Sequence, residues 1–374
     1  MFDSKRIRLT KPIIIAILLA ALILSGCAGK RGWPGAQSEG DTLYVATMDG
    51  RVIAMNPDSR IREWDWKPTA EVTGGFLSCG GAAGSGLVGG KFYGSPVISN
   101  GMVYITSFSG KVYTIDSGSG VELYDTGSPI VGSVAVGNNT VFVGCSDGNL
   151  YALDANTGEP RQGFPFRAGD QIWSTPTVKD GVVYFGSLDH SLYALNATDG
   201  TKKWAFETGG GIASTPLIVG GVVYIGSFDK KFYAIDADTG TQKWIFEGAG
   251  NWFWSEALYN NGTIYAGSLD HNVYAIDAGN GTPAWPKPFK ASDQVKSSPV
   301  IAGGVLVVAS EDGMVYGLDL KTGEKKWQFD GIKAKVLAPL CAAGGKVYIN
   351  TQSNSLYALD GETGRQDWNI SLGK

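Results

Sequence analysis

The sequence contains few histidines and cysteines and has no excess of positive charge. Of its 374 residues only two are His and four are Cys, and 31 Lys and Arg stand against 35 Asp and Glu. No basic patch is available to neutralise a phosphate backbone, so nucleic acid is not an expected partner. No Ser-His-Asp arrangement and no phosphate-binding loop before a helix is visible. We therefore expect no catalytic residues, no cofactor and no metal.

The apolar run from Ile13 to Leu24 is too short for a transmembrane helix. Its twelve residues span about 18 Å as a helix, against a hydrocarbon core of about 30 Å. A positive flank precedes the run and small residues follow it, which is the pattern of a secretory signal. The flank consists of Lys5, Arg6, Arg8 and Lys11. Residues 1–26 are therefore predicted to be an export signal.

The end of this signal, Leu24-Ser25-Gly26-Cys27, resembles the lipobox of bacterial lipoproteins. The resemblance implies that Cys27 is diacylated and becomes the mature N-terminus, followed by a tether over residues 27–32. More than one acyl chain gives stable anchoring to a membrane. The alternative is ordinary cleavage near Gly26 with Cys27 as a bystander thiol. The mature chain would have 27 Lys and Arg against 34 Asp and Glu, a net charge of −7.

With Cys27 assigned to lipid, an odd number of cysteines remains. These are Cys79, Cys145 and Cys341. An exported protein could form one disulfide and keep one free thiol, but the pairing cannot be deduced from sequence. No disulfide is predicted.

One sequence unit recurs eight times, and its clearest copy runs from Val222 to Phe246. An equivalent position in each copy is occupied by Tyr44, Tyr104, Phe142, Tyr184, Tyr224, Tyr265, Val307 and Tyr348. Successive copies are 38 to 42 residues apart, except for a first interval of 60 that indicates an insertion. This period is typical of propeller blades and not of helical repeats.

Within each unit apolar residues alternate with a period of two, and turn residues interrupt them, which indicates hairpin-linked strands. Four strands can be counted per unit. We therefore predict an all-β fold, an eight-bladed β-propeller of four-stranded antiparallel blades over residues 33–374. The first blade should begin with its innermost strand and the last should end at Trp368, so the termini exchange no strand. Pairing by residues 28–40 is the alternative.

In six of the eight units a Trp follows an Asp or Asn by eight residues. These are Trp64, Trp204, Trp244, Trp285, Trp327 and Trp368. The second unit has Tyr124 instead, and the third has Gln162 at this offset with Phe164 nearby. The pattern resembles the tryptophan-docking repeat of the pyrroloquinoline-quinone (PQQ) type propellers, over nearly the whole mature chain. The resemblance implies that each indole packs against small residues of the next blade.

Quinoprotein dehydrogenases share this repeat and define a less favoured alternative, PQQ-dependent oxidation. Those enzymes carry a vicinal Cys-Cys pair and calcium ligands, whereas this sequence has no Cys-Cys pair. Its Asp and Asn residues are explained by turns, including Asp236 to Gly240, which lacks the spacing of a calcium loop. His190 and His271 occupy equivalent turns of non-adjacent blades, so solvent-facing turn residues are favoured over a metal pair.

The residues two positions before each Ser-Pro, or its equivalent, should ring the central channel. They are Trp33, Tyr93, Val131, Trp173, Ala213, Trp254, Lys296 and Val336. Trp252, Phe253 and Glu256 belong to the most distinctive of these loops, where Glu256-Ala257 replaces the usual Ser/Thr-Pro. Aromatic residues are enriched at recognition surfaces, which makes this channel mouth a candidate binding site. The alternative is that they fill the channel as core.

The candidate partner-binding residues are Trp33, Tyr93, Trp173, Trp252, Phe253, Trp254, Glu256 and Lys296. The Gly-rich insertion over residues 67–90 should lie over the same mouth, either as a lid or as a disordered segment.

The combination of eight blades, an acylated cysteine and no cofactor resembles the lipoprotein scaffolds of the outer-membrane β-barrel assembly machine. The resemblance implies a membrane-anchored, non-catalytic scaffold that binds other envelope proteins, in the outer membrane and periplasm or on the outer face of the cell membrane. The Gly-rich insertion departs from that pattern. The alternative function is a receptor for a quinone, glycan or peptide. An open pocket of a few hundred Å³ would favour the receptor, and a flat apolar rim would favour protein binding.

Overall fold

The computed structural model describes residues 34–69 and 91–373, so the predictions for Cys27, Trp33, Cys79 and most of the insertion lie outside it. The described residues form strands and turns without a helix. None of them forms a helix long and apolar enough to cross a membrane. The strands make eight four-stranded antiparallel sheets, which confirms the predicted eight-bladed propeller.

The first four blades follow one another along the chain. Blade 1 contains β1 (Ala36–Glu39), β2 (Thr42–Ala46), β3 (Val52–Met55) and β4 (Arg62–Trp66). Blade 2 contains β5 (Val97–Ser99), β6 (Met102–Thr106), β7 (Lys111–Asp116) and β8 (Ser119–Asp125). Blade 3 contains β9 (Ala135–Gly137), β10 (Thr140–Gly144), β11 (Asn149–Asp154) and β12 (Phe166–Arg167). Blade 4 contains β13 (Thr177–Lys179), β14 (Val182–Gly186), β15 (Ser191–Asn196) and β16 (Lys202–Glu207).

The other four blades repeat this order. Blade 5 contains β17 (Leu217–Val219), β18 (Val222–Gly226), β19 (Phe232–Asp236) and β20 (Gln242–Phe246). Blade 6 contains β21 (Leu258–Asn260), β22 (Thr263–Gly267), β23 (Asn272–Asp277) and β24 (Phe289–Lys290). Blade 7 contains β25 (Val300–Ala302), β26 (Val305–Ala309), β27 (Val315–Leu318) and β28 (Lys325–Phe329). Blade 8 contains β29 (Cys341–Ala343), β30 (Lys346–Asn350), β31 (Ser355–Asp360) and β32 (Gln366–Ser371).

Over residues 34–69 and 91–373, blades 1 and 8 meet without an exchanged strand, as predicted. Each sheet pairs only consecutive strands of one blade. At the seam, Asn350 Nδ2 donates to the carbonyl oxygens of Pro34 and Ala46, each at 2.7 Å. The buried Arg51 side chain donates to the carbonyl of Leu372 near the C-terminus. Hydrogen bonds from side chains therefore join blades 1 and 8, since these blades share no described strand.

The docking tryptophans pack as the repeat implied, and Trp244 in blade 5 is representative. Its indole Nε1 donates to the carbonyl of Ala278 in blade 6 at 2.9 Å, and Tyr224 Oη donates to the same oxygen at 3.1 Å. Gly281 of blade 6 lies against the ring, where a Cβ would be only 2.7 Å from an indole carbon. The corresponding indoles of Trp204, Trp285 and Trp327 also donate to a next-blade carbonyl. Each indole thereby ties two blades together.

In blades 3 and 6 the docking residue lies before the outer strand, whereas the docking tryptophans of the other blades lie within theirs. Trp285 precedes β24 and Phe164 precedes β12, because prolines near both residues lack the N–H that a strand ladder needs. Those prolines are Pro160 and Pro165 in blade 3 and Pro283, Pro286 and Pro288 in blade 6. Phe164 nevertheless lies against Gly200 of blade 4. It therefore takes the place of the missing tryptophan.

Candidate binding mouth and central channel

The loops before the innermost strands converge on the propeller axis, where they enclose a cavity of about 100 Å³. Six of the residues predicted to ring the channel line it: Tyr93, Val131, Trp173, Ala213, Trp254 and Lys296. In blade 8 the lining residues are Leu337 and Pro339, beside the predicted Val336, which is fully buried. Trp33 lies outside the described residues. We call this cavity, with the loops and turns around it, the channel mouth.

Aromatic rings form one continuous stack on one side of the channel mouth. Phe228 lies against Trp252 with centroids 4.4 Å apart and against Trp254 with centroids 5.6 Å apart, both nearly parallel. Trp254 also contacts Trp173, with centroids 6.4 Å apart and planes inclined by 52°. The stack therefore joins blades 4, 5 and 6.

Phe228 was not among the residues predicted from sequence. It lies in the turn between the second and third strands of blade 5, and its backbone N donates to Gly211 O at 2.9 Å. That bond ties the turn to the incoming loop on the same face of the propeller. The equivalent turn of blade 2 carries Phe108, whose ring lies 4.8 Å from that of Tyr93. An aromatic residue at this turn position was the available signal.

Trp173 and Phe253 are more buried than a partner-binding role requires. Trp173 is 7% exposed, and its Nε1 donates to Gln171 Oε1 at 2.9 Å, so it forms a fixed wall of the channel. Phe253 is 1% exposed and packs edge-on against Phe232 and Tyr274 at 5.3 and 5.9 Å. Phe253 therefore belongs to the core, in contrast to the expectation that it faces a partner. Trp252 and Trp254 on either side of it are half-buried.

Glu256 places a carboxylate inside the channel. Its position in the loop corresponds to Ser95, Ser133, Thr175, Thr215 and Ser298 in other blades, which line the same cavity. The Glu256 side chain is exposed to water in the channel, and the surrounding loops form the channel wall. Loss of hydration in this enclosure raises the pKa of Glu256 to about 7. No hydrogen bond or ion pair joins the carboxylate to another described residue.

Lys296 lines the channel, but its charge is already compensated. Its ammonium lies 2.6 Å from the carboxylate of Glu311, which also accepts Lys335 at 2.5 Å. Burial would raise the pKa of Glu311, but hydrogen bonds from the two lysines outweigh that effect and lower it. Lys296 is only 14% exposed. It is thus held on the wall of the channel by a pair within its own blade.

A family model described as outer membrane protein assembly factor BamB matches residues 26–162, 167–252 and 233–374. The chain belongs to the BamB family. No curated protein is similar enough in sequence to be matched.

Two solved structures place the BamB-family chain among known propellers. The crystal structure of BamB from Moraxella catarrhalis is 18% identical, with 87% of this chain and 91% of that chain covered and a TM-score of 0.68. The computationally designed Ika8 protein is 16% identical, with 89% and 96% covered and a TM-score of 0.69. At these identities the likeness extends to the fold alone.

The remaining candidates for chemistry in this BamB-family chain are dispersed. Over residues 34–69 and 91–373, no three His, Cys, Asp or Glu side chains are close enough together to hold a metal. His190 and His271 lie in turns with positive φ, 76° and 74°. Cys145 and Cys341 are free thiols in separate buried clusters. Asp236 Oδ1 accepts the backbone N of Thr239 at 3.0 Å, as a hairpin turn requires.

Proposed function

We propose that this BamB-family chain is an extracytoplasmic lipoprotein that binds other envelope proteins as a non-catalytic scaffold of outer-membrane protein assembly. The family match supports the assembly role, since it extends over nearly the whole chain. The lipobox-like Leu24-Ser25-Gly26-Cys27 supports anchoring through Cys27. In this proposal the propeller lies outside the cytoplasm and close to a membrane surface.

The observation that carries protein binding is the aromatic stack of the channel mouth. Phe228, Trp252 and Trp254 are nearly parallel and contiguous. Aromatic residues concentrate at the centre of protein interfaces, because they bury a large area at a small cost in conformational entropy. Trp252 and Trp254, which are half-buried and lie against the buried Phe228, are therefore proposed as the anchor of the partner interface.

The size of the cavity argues against the small-ligand alternative. Pockets for small molecules typically enclose about 300–1,000 Å³. The cavity on the axis measures about 100 Å³, which is well below this range. The same size argument weighs against a bound quinone cofactor for oxidation. A partner that lies across the mouth needs no such volume.

Affinity purification from membranes of the native host tests the partner interface. Tagged wild type is compared with Trp252→Ala/Trp254→Ala and with Ile61→Ala, a control in an exposed turn before β4, at the opposite end of its blade. We expect wild type and control to recover outer-membrane assembly proteins that the double variant loses. Equal recovery by the double variant, or no envelope protein from wild type, would contradict the proposal. Circular dichroism of all three verifies folding.

The lipid anchor has its own test. Cys27→Ala should release the exported protein from the membrane fraction, and mass spectrometry of the wild type should find acyl chains on Cys27. A membrane-bound Cys27→Ala protein, or an unmodified Cys27, would reject the anchor without affecting the proposed mouth.

A further inference from the structure

Among the residues that the structure describes, none supplies a counter-charge to the carboxylate of Glu256 in the channel. The Glu256 side chain is exposed to the channel, and a carboxylate in a protein cleft attracts cations more strongly than one in bulk water. Lys296, the cationic residue of the described channel lining, is held by Glu311 at 2.6 Å. The channel therefore contains one carboxylate that a bound cation could pair.

We propose that the channel binds a primary ammonium group, presented either by a lysine side chain or by a free small amine. Glu256 supplies the counter-charge, and neighbouring loops supply hydroxyl groups that accept further hydrogen bonds. This site lies in the cavity that Trp254 of the aromatic stack also lines, and it does not depend on the proposed scaffold function.

The aromatic lining suits a cation. Trp173, Trp254 and Tyr93 line the same cavity as Glu256. Cations are attracted to the faces of aromatic rings, most strongly to Trp, and the attraction is largest where water is excluded. Aromatic walls and a carboxylate thus act on the same ligand charge.

The shape of the cavity favours an ammonium over a guanidinium. Trp173 and Trp254 are inclined by 52° and form a corner, not a parallel slot in which a planar guanidinium would stack. The volume of about 100 Å³ is enough for about seven waters, at roughly 15 Å³ of probe volume each. An ammonium with a few methylene groups fits this space.

Calorimetric titration at pH 8 with two probes tests the site. The probes are n-butylammonium, a free amine, and Nα-acetyl-lysine amide, a peptide-like lysine. Glu256→Gln should weaken binding about tenfold or more, the equivalent of one charge-assisted hydrogen bond. Glu247→Gln is the matched control. Glu247 is exposed, follows the outer strand of blade 5 and pairs with Lys231. Binding of both probes supports the site, and binding of the capped lysine alone supports it with a protein side chain as the source.

The pH profile separates a binding role from a structural one. Wild-type affinity should fall as the pH decreases through about 7, where Glu256 becomes protonated. Lys296 and Tyr93 also face the cavity, and Lys296 stays paired with Glu311. Both residues are retained in Glu256→Gln, so the affinity of this variant should not change with pH over this range. The proposal is overturned if wild type binds neither probe, if Glu256→Gln binds equally well, or if a third titration shows that methylguanidinium binds more tightly than n-butylammonium. In each case partner capture by Trp252 and Trp254 would be unaffected.

Discussion

Trp173 and Trp254 contact each other at the channel mouth, with ring centroids 6.4 Å apart, although blade 5 lies between their blades. The ring residue of blade 5 is Ala213, which lines the same cavity. Its single methyl group leaves the space in which the two indoles meet. The small ring residue of blade 5, between the large ring residues of blades 4 and 6, therefore allows the aromatic stack to continue across three blades.

Enlarging Ala213 should separate the two indoles. Ala213→Leu inserts three carbons, and overpacking of this kind costs about 1–3 kcal/mol. We expect the propeller to remain folded, the near-ultraviolet circular dichroism of the coupled indoles to weaken, and partner capture to fall. Ala213→Gly serves as the control and should retain the signal. An unchanged spectrum in Ala213→Leu would mean that Ala213 does not control this contact.

The neighbours Trp252 and Phe253 should respond to truncation in opposite ways. Phe253→Ala leaves a cavity in the core and should cost about 3–5 kcal/mol in the free energy of unfolding. Trp252→Ala removes a half-buried ring and should cost much less stability while it weakens partner capture. Denaturant unfolding and affinity purification measure the two effects. Equal destabilisation by both variants would assign Trp252 to the core as well.

Two docking tryptophans differ in their hydrogen bonds. Trp244 Nε1 donates to Ala278 O, whereas the buried Nε1 of Trp368 has no partner among residues 34–69 and 91–373. Trp244→Phe should therefore destabilise the protein by about 1 kcal/mol more than Trp368→Phe, which removes an unsatisfied donor. Thermal unfolding of the two variants provides the comparison. A larger loss for Trp368→Phe would show that its indole has a bonding partner.

The elevated pKa of Glu256 makes stability depend on pH. Its folded-state pKa of about 7 lies above the ordinary 4.5, because desolvation favours the protonated form. The stabilisation that results from the elevated pKa of Glu256 is therefore fully present below pH 4.5 and is lost as the pH rises through about 7. Glu256→Gln stays neutral, so its Tm should exceed that of wild type at pH 8 and match it near pH 5. Parallel Tm values across this range would indicate an ordinary pKa.

Most of the fold could be predicted because its information is local and repeated. The spacing of Trp244 from Asp236 recurs in other blades, and it encodes both the turn and the docking site. Proline positions around Trp285 could have indicated the broken outer strand, since they remove backbone donors.

The candidate site could be predicted only in part. Alternation along Trp252, Phe253 and Trp254 implies that the middle ring points away from the other two, but not which side is the core. Phe228 joins the stack from a turn position that is aromatic in blade 2, as Phe108, but is Ser146 and Leu188 in blades 3 and 4, so the signal was too irregular to single it out. The pairing of Lys296 with Glu311 joins a loop to a turn of the same blade, and composition does not specify it.

Site-specific photo-cross-linking in the native host tests most directly whether the channel mouth is the partner interface. A benzoylphenylalanine replaces Trp252, and in a control it replaces Ile61, which is 65% exposed. We predict that position 252 forms cross-links to an outer-membrane assembly protein and that position 61 does not. Cross-links of that protein to position 61 alone, or to neither position, would contradict binding at the mouth.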